Sequence, residues 1–341
     1  TKSVKFDVTA PVRELLQQSG LWVMMRQRPY DIVPAAASEP RDIFVTAFDS
    51  SPLAPSLLYA VKGKDAALAA GVKALASLTQ GKVYISVPEG ASVSVPGAEI
   101  VTVKGPHPSG NPGVQIANIA PVNKGEIVWT LDVVTLAKIG TLMLTGSVEP
   151  DVTIAITGSE VTAPCYAVTV PGCDIKQLLN GRTDSSDTHL RIISGNVLTG
   201  IKTDMDGFLQ YPYRQITVIP EGDNADEFLG WANPGAGKMS VKRSILGHFL
   251  KGRRFAPDAR INGGRRAMIL SGEYDSVLPM DILGEYLIKA IMARDIDRME
   301  QLGIYEVAPE DFALPEYVDT SKLELQKIVR EGLDYMRRET E

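Results

Sequence analysis

The chain has 341 residues, of which 44% are hydrophobic and 22% charged, and this balance excludes a disordered protein and favours two or three packed domains. Its formal net charge of −6 excludes a general nucleic-acid binder, because such proteins carry a broad basic field that neutralises phosphates. With only two cysteines and three scattered histidines, it lacks the ligands for an iron–sulfur cluster or a structural zinc site.

The first 150 residues show the alternating pattern of an α/β domain. Buried-type strands are predicted at 42–49, 82–87, 99–103 and 126–130. Helices are predicted at 9–20, 65–80 and 132–144. Thr9 and Gly20 are the expected N-cap and C-terminal stop of the first helix. Because strand–helix–strand order produces parallel βαβ units, residues 1–150 predict one α/β domain.

Past Pro150 the pattern changes to short strands separated by turns. Strands are predicted at 153–157, 166–170, 191–194 and 215–219, with one small helix at 174–180. This β-β-α-β order predicts a β-grasp-like module within residues 151–272. Residues 273–341 predict a helical domain, with amphipathic helices at 279–299 and 320–339 and with Thr320 or Ser321 capping the second.

The sequence also bears on compartment and membrane contact. Cys165 and Cys173 are spaced closely enough for a disulfide, but reduced thiols of a cytosolic protein are favoured. The longest apolar stretch, residues 127–148, is interrupted by Asp132 and Lys138, so no membrane span of about 18 apolar residues is predicted. We therefore expect a soluble chain whose membrane contact is peripheral. Because it begins with Thr rather than Met and has no signal-peptide pattern, we expect further residues upstream.

Motifs that hold nucleotides are incomplete. Residues 235–238 (GAGK) match the end of a phosphate-binding loop, but Ala232 and Met239 stand where that loop requires Gly and Ser or Thr. No G-x-G-x-x-G follows the first strand, and no G-x-S-x-G is present. A Pro-Gly turn is therefore favoured over a nucleotide-binding loop.

One candidate binding site is the cluster Arg26, Arg28, Pro29 and Tyr30. Two arginines beside an aromatic ring could contact an anion or the polar ring of a quinone. A surface loop that leads into the first strand is the favoured alternative. His107, in Gly-Pro-His-Pro-Ser-Gly, presents a similar choice between a catalytic base and a structural turn, and the turn is favoured.

A second candidate is the basic segment, residues 242–266, which has eight Lys or Arg residues against one acid, Asp258. The candidate partner-docking residues are Lys242, Arg243, Lys251, Arg253, Arg254, Arg265 and Arg266. The segment could dock an acidic partner or anionic lipid headgroups. Alternatively, it is a solvated surface paired with the acidic C-terminal helices, and the sequence does not decide between these interpretations.

Several stretches, in order along most of the chain, together resemble one family. They are SGLWVMMRQRPYDIVPA, IFVTAFDSSPLAP, GPHPSGNPG, RIISGNVLTG, FLGWANPGAGKMSVKRSILGHF, GGRRAM and YDSVLPMDIL. The family comprises the A subunits of the sodium-translocating NADH:quinone oxidoreductases, which also have an N-terminal barrel-sandwich domain that this chain lacks. The resemblance implies an α/β fold made of a Rossmann-like domain (1–150), a β-grasp domain of the SLBB type (151–272) and a C-terminal helical domain (273–341).

More distant relatives implied by this resemblance are the C subunit of the Rnf complex and the flavin-bearing subunit of respiratory complex I. They hold flavin phosphate with a G-x-G-G-A-G-F-P loop, whose bare backbone lets N–H groups approach the anion. The corresponding residues 22–29 here read WVMMRQRP, and only the proline is kept. We expect Met24, Met25 and Gln27 to obstruct a flavin phosphate.

Two further departures concern the same relatives. Their acidic N-A-x-E-x-E-P element corresponds to residues 46–52, where Ser51 replaces the second glutamate. Their cluster-binding cysteines are missing from residues 315–321. The resemblance therefore implies a scaffold that has lost both its flavin site and its cluster site.

The function implied is that of a peripheral subunit on the cytoplasmic face of the bacterial inner membrane. The whole complex uses NADH, flavins, an iron–sulfur centre and quinone, and it couples quinone reduction to sodium export. This chain is expected to bind no metal and no redox cofactor, to have no catalytic residues, to contact membrane-embedded subunits and to shape the quinone site. Two alternatives remain open: a module that binds a small ligand such as quinone, and an autonomous flavin-dependent NADH oxidoreductase.

Overall fold

Two five-stranded sheets and a C-terminal set of helices make up the chain. The structure, a computed structural model, describes residues 4–183, 189–223, 246–250, 252 and 255–340. The strands are β1 (Arg26–Arg28), β2 (Asp42–Thr46), β3 (Val83–Pro88), β4 (Glu99–Val103), β5 (Val128–Asp132), β6 (Val152–Thr157), β7 (Cys165–Thr169), β8 (Leu190–Ser194), β9 (Ile201–Thr203) and β10 (Gln215–Pro220). The helices are α1 (Val12–Gln18), α2 (Leu57–Ala60), α3 (Asp65–Ala76), α4 (Pro112–Ile119), α5 (Val133–Thr145), α6 (Ile175–Leu179), α7 (Gly284–Ala293), α8 (Ile296–Gln301), α9 (Ala313–Val318) and α10 (Leu325–Thr340). Short 3-10 helices cover Leu21–Met24, Leu246–Phe249, Tyr274–Ser276, Ile304–Glu306 and Pro309–Phe312.

The first sheet has the order β1-β5-β2-β3-β4. Strands β2 to β5 are parallel, whereas β1 pairs antiparallel with β5 at the edge. The chain runs outward from β2 to β4 and then returns to place β5 on the other side of β2. This reversal is the switch point of a Rossmann-like sheet. The implied Rossmann-like fold is thus confirmed.

Helices α3 and α5 pack against one another with almost no side chain between them. A Cβ on Gly140 would lie 1.6 Å from the Ala67 carbonyl oxygen, and one on Gly71 would lie 2.5 Å from the Leu136 carbonyl oxygen. Glycine is therefore required where the two backbones meet. Their apolar faces and the adjoining face of the sheet form the largest core, while α4 contributes to a smaller core with Phe44 and Tyr84.

The second sheet has the order β7-β6-β10-β8-β9, in which β6 and β10 are parallel and the other neighbours antiparallel. Helix α6 lies between β7 and β8 in sequence and adds Ile175 and Leu179 to the apolar core of this sheet. A hairpin, a helix and a central parallel pair are the β-grasp arrangement, so the implied SLBB-type fold is confirmed. Cys165 and Cys173 are free thiols.

The C-terminal helices share one further core and differ from their predicted limits. The predicted helix at 279–299 is wrong as a single element: Arg294 adopts a left-handed φ of 55° and ends α7, and Asp295 caps α8 by accepting a hydrogen bond from the Arg298 amide. Thr320 or Ser321 as cap of the last helix is also wrong. Helix α10 begins at Leu325, and the Ser321 hydroxyl donates to the Ala267 carbonyl (3.0 Å) instead.

The pattern analysis missed several short elements, namely β1, α2, α4, β9 and α9. Each has fewer than nine residues, too short for a periodic signal to stand out. Across the described ranges, no helix combines the length and the apolar character that a bilayer span requires.

Candidate functional site at the carboxyl edge of the first sheet

The candidate site lies beyond the carboxyl ends of β2 and β5. Open parallel sheets bind ligands in the crevice outside these ends, at the point where strand order reverses. The β2 end is followed by residues 47–53, and β5 ends at Asp132. Side chains from both other domains contact this edge, and they determine what it can hold.

The turn that corresponds to the flavin loop of the distant relatives is filled with core side chains. Trp22 and Met25 are 5% and 0% exposed, and Met24 packs partly buried against the same core. The Trp22 ring meets Trp129 edge to face at 5.1 Å, and its indole N–H donates to the Pro34 carbonyl at 2.8 Å. Large apolar groups thus occupy the place where a phosphate requires bare backbone amides.

Asp132, at the end of β5, is bound by an arginine from the β-grasp domain. The Arg214 guanidinium donates to both carboxylate oxygens, with Nε to Oδ2 at 3.0 Å and Nη2 to Oδ1 at 3.0 Å. The same carboxylate caps α5 by accepting from the Thr135 amide at 2.6 Å. Partial burial would raise the pKa of Asp132, but Arg214 and the Thr135 amide outweigh it and lower that pKa. The switch point is therefore closed by an internal ion pair.

A carboxylate of the chain itself lies at the N-terminus of α4. A Cβ on Gly113 would lie 2.3 Å from Asp311 Oδ2, and the Asn111 side-chain amide donates to the Glu310 carbonyl at 3.2 Å. Helix N-termini attract anions, and phosphates are commonly bound there. Here Asp311 of the C-terminal domain takes that position.

Arg28 is buried and connects β1 to the C-terminal domain. Its guanidinium is within 3.1 Å of Asp311 Oδ2 and 2.9 Å of Glu310 Oε1, and the residue is only 1% exposed. Burial would lower the pKa of Arg28, but Asp311 and Glu310 outweigh it and raise that pKa. The expected surface loop around this residue is thus wrong, since β1 is a buried strand.

The other three members of the predicted cluster are less alike in burial. Pro29 and Tyr30 are buried, and the Tyr30 hydroxyl lies 3.0 Å from Thr340 Oγ1. Arg26 is half-buried and lies opposite Thr130 on β5. The structure therefore brings the cluster together on β1 and its turn but leaves only Arg26 within reach of solvent. Contact of these residues with quinone stays a prediction.

His107 forms a small polar cluster with the loop after β2. The Gly110 amide donates to Ser50 Oγ (2.8 Å), so the Ser50 hydroxyl is free to donate to His107 Nδ1 at 3.0 Å. This places the imidazole proton on Nε2, which is buried without a hydrogen-bond partner among the described residues. Burial lowers the pKa of His107, while Asp49 opposes that shift. The arrangement holds a neutral imidazole in place.

The basic segment is only partly within the described residues. Lys242, Arg243, Lys251, Arg253 and Arg254 lie outside them. The Arg265 guanidinium is 2.8 Å from Glu324 Oε1, and the Arg266 amide donates to the Ser321 carbonyl at 2.8 Å. One of its cations therefore pairs with the C-terminal domain, and partner docking stays a prediction.

Sequence reasoning missed Arg214, Glu310, Asp311 and Ser50. Asp132 was noted only as an interruption of an apolar run, although an aspartate before a helix is a cap signal that marks it. The partners carry no such signal, because 82 residues separate Asp132 from Arg214 and 283 separate Arg28 from Asp311. Within the part of the chain that the structure describes, no group of three or more His, Cys, Asp or Glu is arranged to hold a metal ion.

Comparisons with known proteins match both sheets. The family profile "NqrA second alpha/beta domain" matches residues 8–148, and "NQRA C-terminal domain" matches residues 153–204. The A subunit of the Na(+)-translocating NADH-quinone reductase from Rhodopirellula baltica is 38% identical over 328 residues, covering 95% of this chain and 72% of that protein. The Photorhabdus laumondii protein of the same name is 37% identical, covering 96% and 74%. Among solved structures, an NAD+-reducing [NiFe]-hydrogenase in the air-oxidized state has a TM-score of 0.43 at 13% identity, covering 62% of this chain and 47% of that chain.

Proposed function

Because the chain belongs to the NqrA family, the A subunits of the Na(+)-translocating NADH-quinone reductases, we propose that it is a peripheral, cytoplasmic-face subunit without a redox cofactor of its own. It takes part in NADH:quinone oxidoreduction as a component of the complex and not as an independent catalyst. Its partners are the other subunits, including membrane-embedded ones, and these carry the flavins and the iron–sulfur centre.

The observation that carries this proposal is that the chain itself fills its carboxyl edge. A flavin or nicotinamide nucleotide needs open backbone amides for its phosphates. Trp22 and Met25 occupy the corresponding turn, Arg214 neutralises Asp132, and Asp311 lies against the first turn of α4. A phosphate at α4 would face that carboxylate. The residues present do not fit a nucleotide cofactor, and the loss of this site supports a structural role.

The finer part of the proposal is that β1 shapes a quinone site. Arg26 is the member of the predicted cluster that solvent reaches, while Arg28 and Tyr30 attach the same strand to the C-terminal domain. A guanidinium can donate hydrogen bonds to a quinone carbonyl or lie over its ring. Arg28 and Tyr30 would then act by positioning Arg26, without touching the quinone.

The test is to purify the chain alone and to co-express it, in its full-length form, with the other subunits. We expect the isolated chain to lack the visible absorbance band of flavin and to oxidise no NADH, and the co-expressed chain to purify with the complex. In the assembled complex, Arg26→Ala should raise the KM for quinone and leave the KM for NADH unchanged, whereas Arg13→Ala serves as a control. Stoichiometric flavin on the isolated chain, or failure to assemble, contradicts the proposal. An unchanged quinone KM in Arg26→Ala contradicts only its finer part.

A further inference from the structure

Large apolar side chains are exposed along residues 246–272. In the described part of this stretch they are between 40% and 61% exposed. These residues are Leu246, Phe249, Leu250, Ile261, Ile269 and Leu270. Single exposed apolar residues are ordinary on protein surfaces, but a concentration of them in one stretch is typical of interaction sites. We name these six residues the basic–apolar surface, because they overlap the basic segment.

Contacts with two domains hold this surface in place. On one side the Ala259 amide donates to the Pro220 carbonyl of the β-grasp domain at 3.1 Å. On the other, the Ser271 and Gly272 amides donate to Glu285 Oε1 on α7 at 3.0 and 2.8 Å. The apolar side chains are therefore presented outward by a stretch fastened at both domains.

The charge of the stretch indicates the partner. Residues 242–266 contain eight Lys or Arg residues and one acid, although the whole chain has a net charge of −6. A basic surface attracts acidic partners and steers them by long-range electrostatics, while apolar contacts provide affinity at the centre of an interface. A complementary partner surface is apolar at its centre and acidic at its rim.

We propose that the basic–apolar surface docks an acidic, apolar-faced segment of another subunit of the reductase complex. This inference rests on the proposed function, because it assumes that the chain is assembled with other subunits. An anionic bilayer would attract the same charges, but interfacial binding typically uses an amphipathic helix. In the described part of this stretch the only regular element is the four-residue 3-10 helix Leu246–Phe249, which favours a protein partner.

The experiment introduces a charge at exposed apolar positions of the full-length protein, co-expressed with the other subunits. Phe249→Asp and Ile269→Asp alter side chains that are 61% and 59% exposed, so the fold should tolerate them. Val168→Asp on β7 and Leu144→Asp on α5 are matched controls at 70% and 58% exposure. We expect recovery with the complex to fall about tenfold in the first pair and to be unchanged in the controls. Association should also weaken with added salt.

Each alternative gives a distinct result. Equal recovery of all four variants, with unchanged melting temperatures, overturns the inference. Normal assembly combined with lost binding to vesicles of anionic phospholipid assigns the surface to the membrane and overturns it as well. A change confined to the sedimentation of the isolated chain assigns the surface to a second copy, with the same consequence. Failure of the unaltered chain to assemble refutes the proposed function itself.

Discussion

At the scale of single residues, hydrogen bonds within the His107 cluster determine its chemistry. Because the Gly110 amide already donates to Ser50 Oγ, the serine hydroxyl serves as donor to His107 Nδ1. The imidazole therefore carries its proton on Nε2, and burial disfavours a second proton. The cluster orders the loop between β4 and α4 against the loop after β2.

We predict that His107 stays neutral, with the proton on Nε2, down to a pH below its ordinary pKa of 6.5. Since the folded-state pKa is lowered, protonation favours the unfolded chain. The stabilisation is present above pH 6.5 and is lost as the pH falls through the folded-state pKa. Nitrogen-15 NMR of the imidazole measures both the tautomer and the midpoint. A midpoint at or above 6.5 contradicts the prediction, and Ser50→Ala, which removes the donor, should mix the tautomers.

At the scale of elements, the pair α3 and α5 depends on two glycines. A Cβ on Gly140 would overlap the backbone of Ala67 and not the end of a flexible side chain, so the helices would have to separate. Separation would disturb the largest core, to which both helices contribute.

We predict that Gly140→Ala lowers the free energy of unfolding by about 2–4 kcal/mol through overpacking. Gly264→Ala is the control, because no atom lies within 4 Å of its new Cβ and its backbone is not left-handed. Urea denaturation of both variants measures the difference. Equal stability of Gly140→Ala and the control would show that the helices can move apart without cost.

The predicted elements differ in how well local pattern determined them. Strand β4 was predicted with its observed limits, and Gly20 ends the first helix region with a left-handed φ of 77° as expected. The break between α7 and α8 was missed, because Arg294 is a good helix former and only its surroundings hold it in a left-handed conformation.

At the scale of the whole molecule, ion pairs at the carboxyl edge join the three domains. Arg214 joins the β-grasp domain to Asp132, and Arg28 joins β1 to Asp311 in the C-terminal domain. Breaking one partner of a buried pair leaves the other charge without compensation, which costs more than the pair itself contributes.

We predict that Arg28→Ala destabilises the chain by about 3–5 kcal/mol, because Asp311 remains buried without its cation. Arg298→Ala, which removes an arginine whose side chain is 74% exposed and pairs with Asp295, should cost about 0–1 kcal/mol. Chemical denaturation measures both, and limited proteolysis should reveal a loosened C-terminal domain in Arg28→Ala. Similar stability of the two variants would refute Arg28 as the connection between the domains.

The sequence by itself determined the fold class, the regular elements with strong periodicity and the family, because these depend on residue patterns within short windows or on order along the chain. It also indicated, from the bulky residues 22–29, that a flavin loop is lost. Only the tertiary structure decided that Arg28 is buried, that Ser50 meets His107 and that Asp311 lies at the start of α4. These contacts join residues that are 57 to 283 positions apart, and their partners are chosen by how whole domains pack, which no local pattern records.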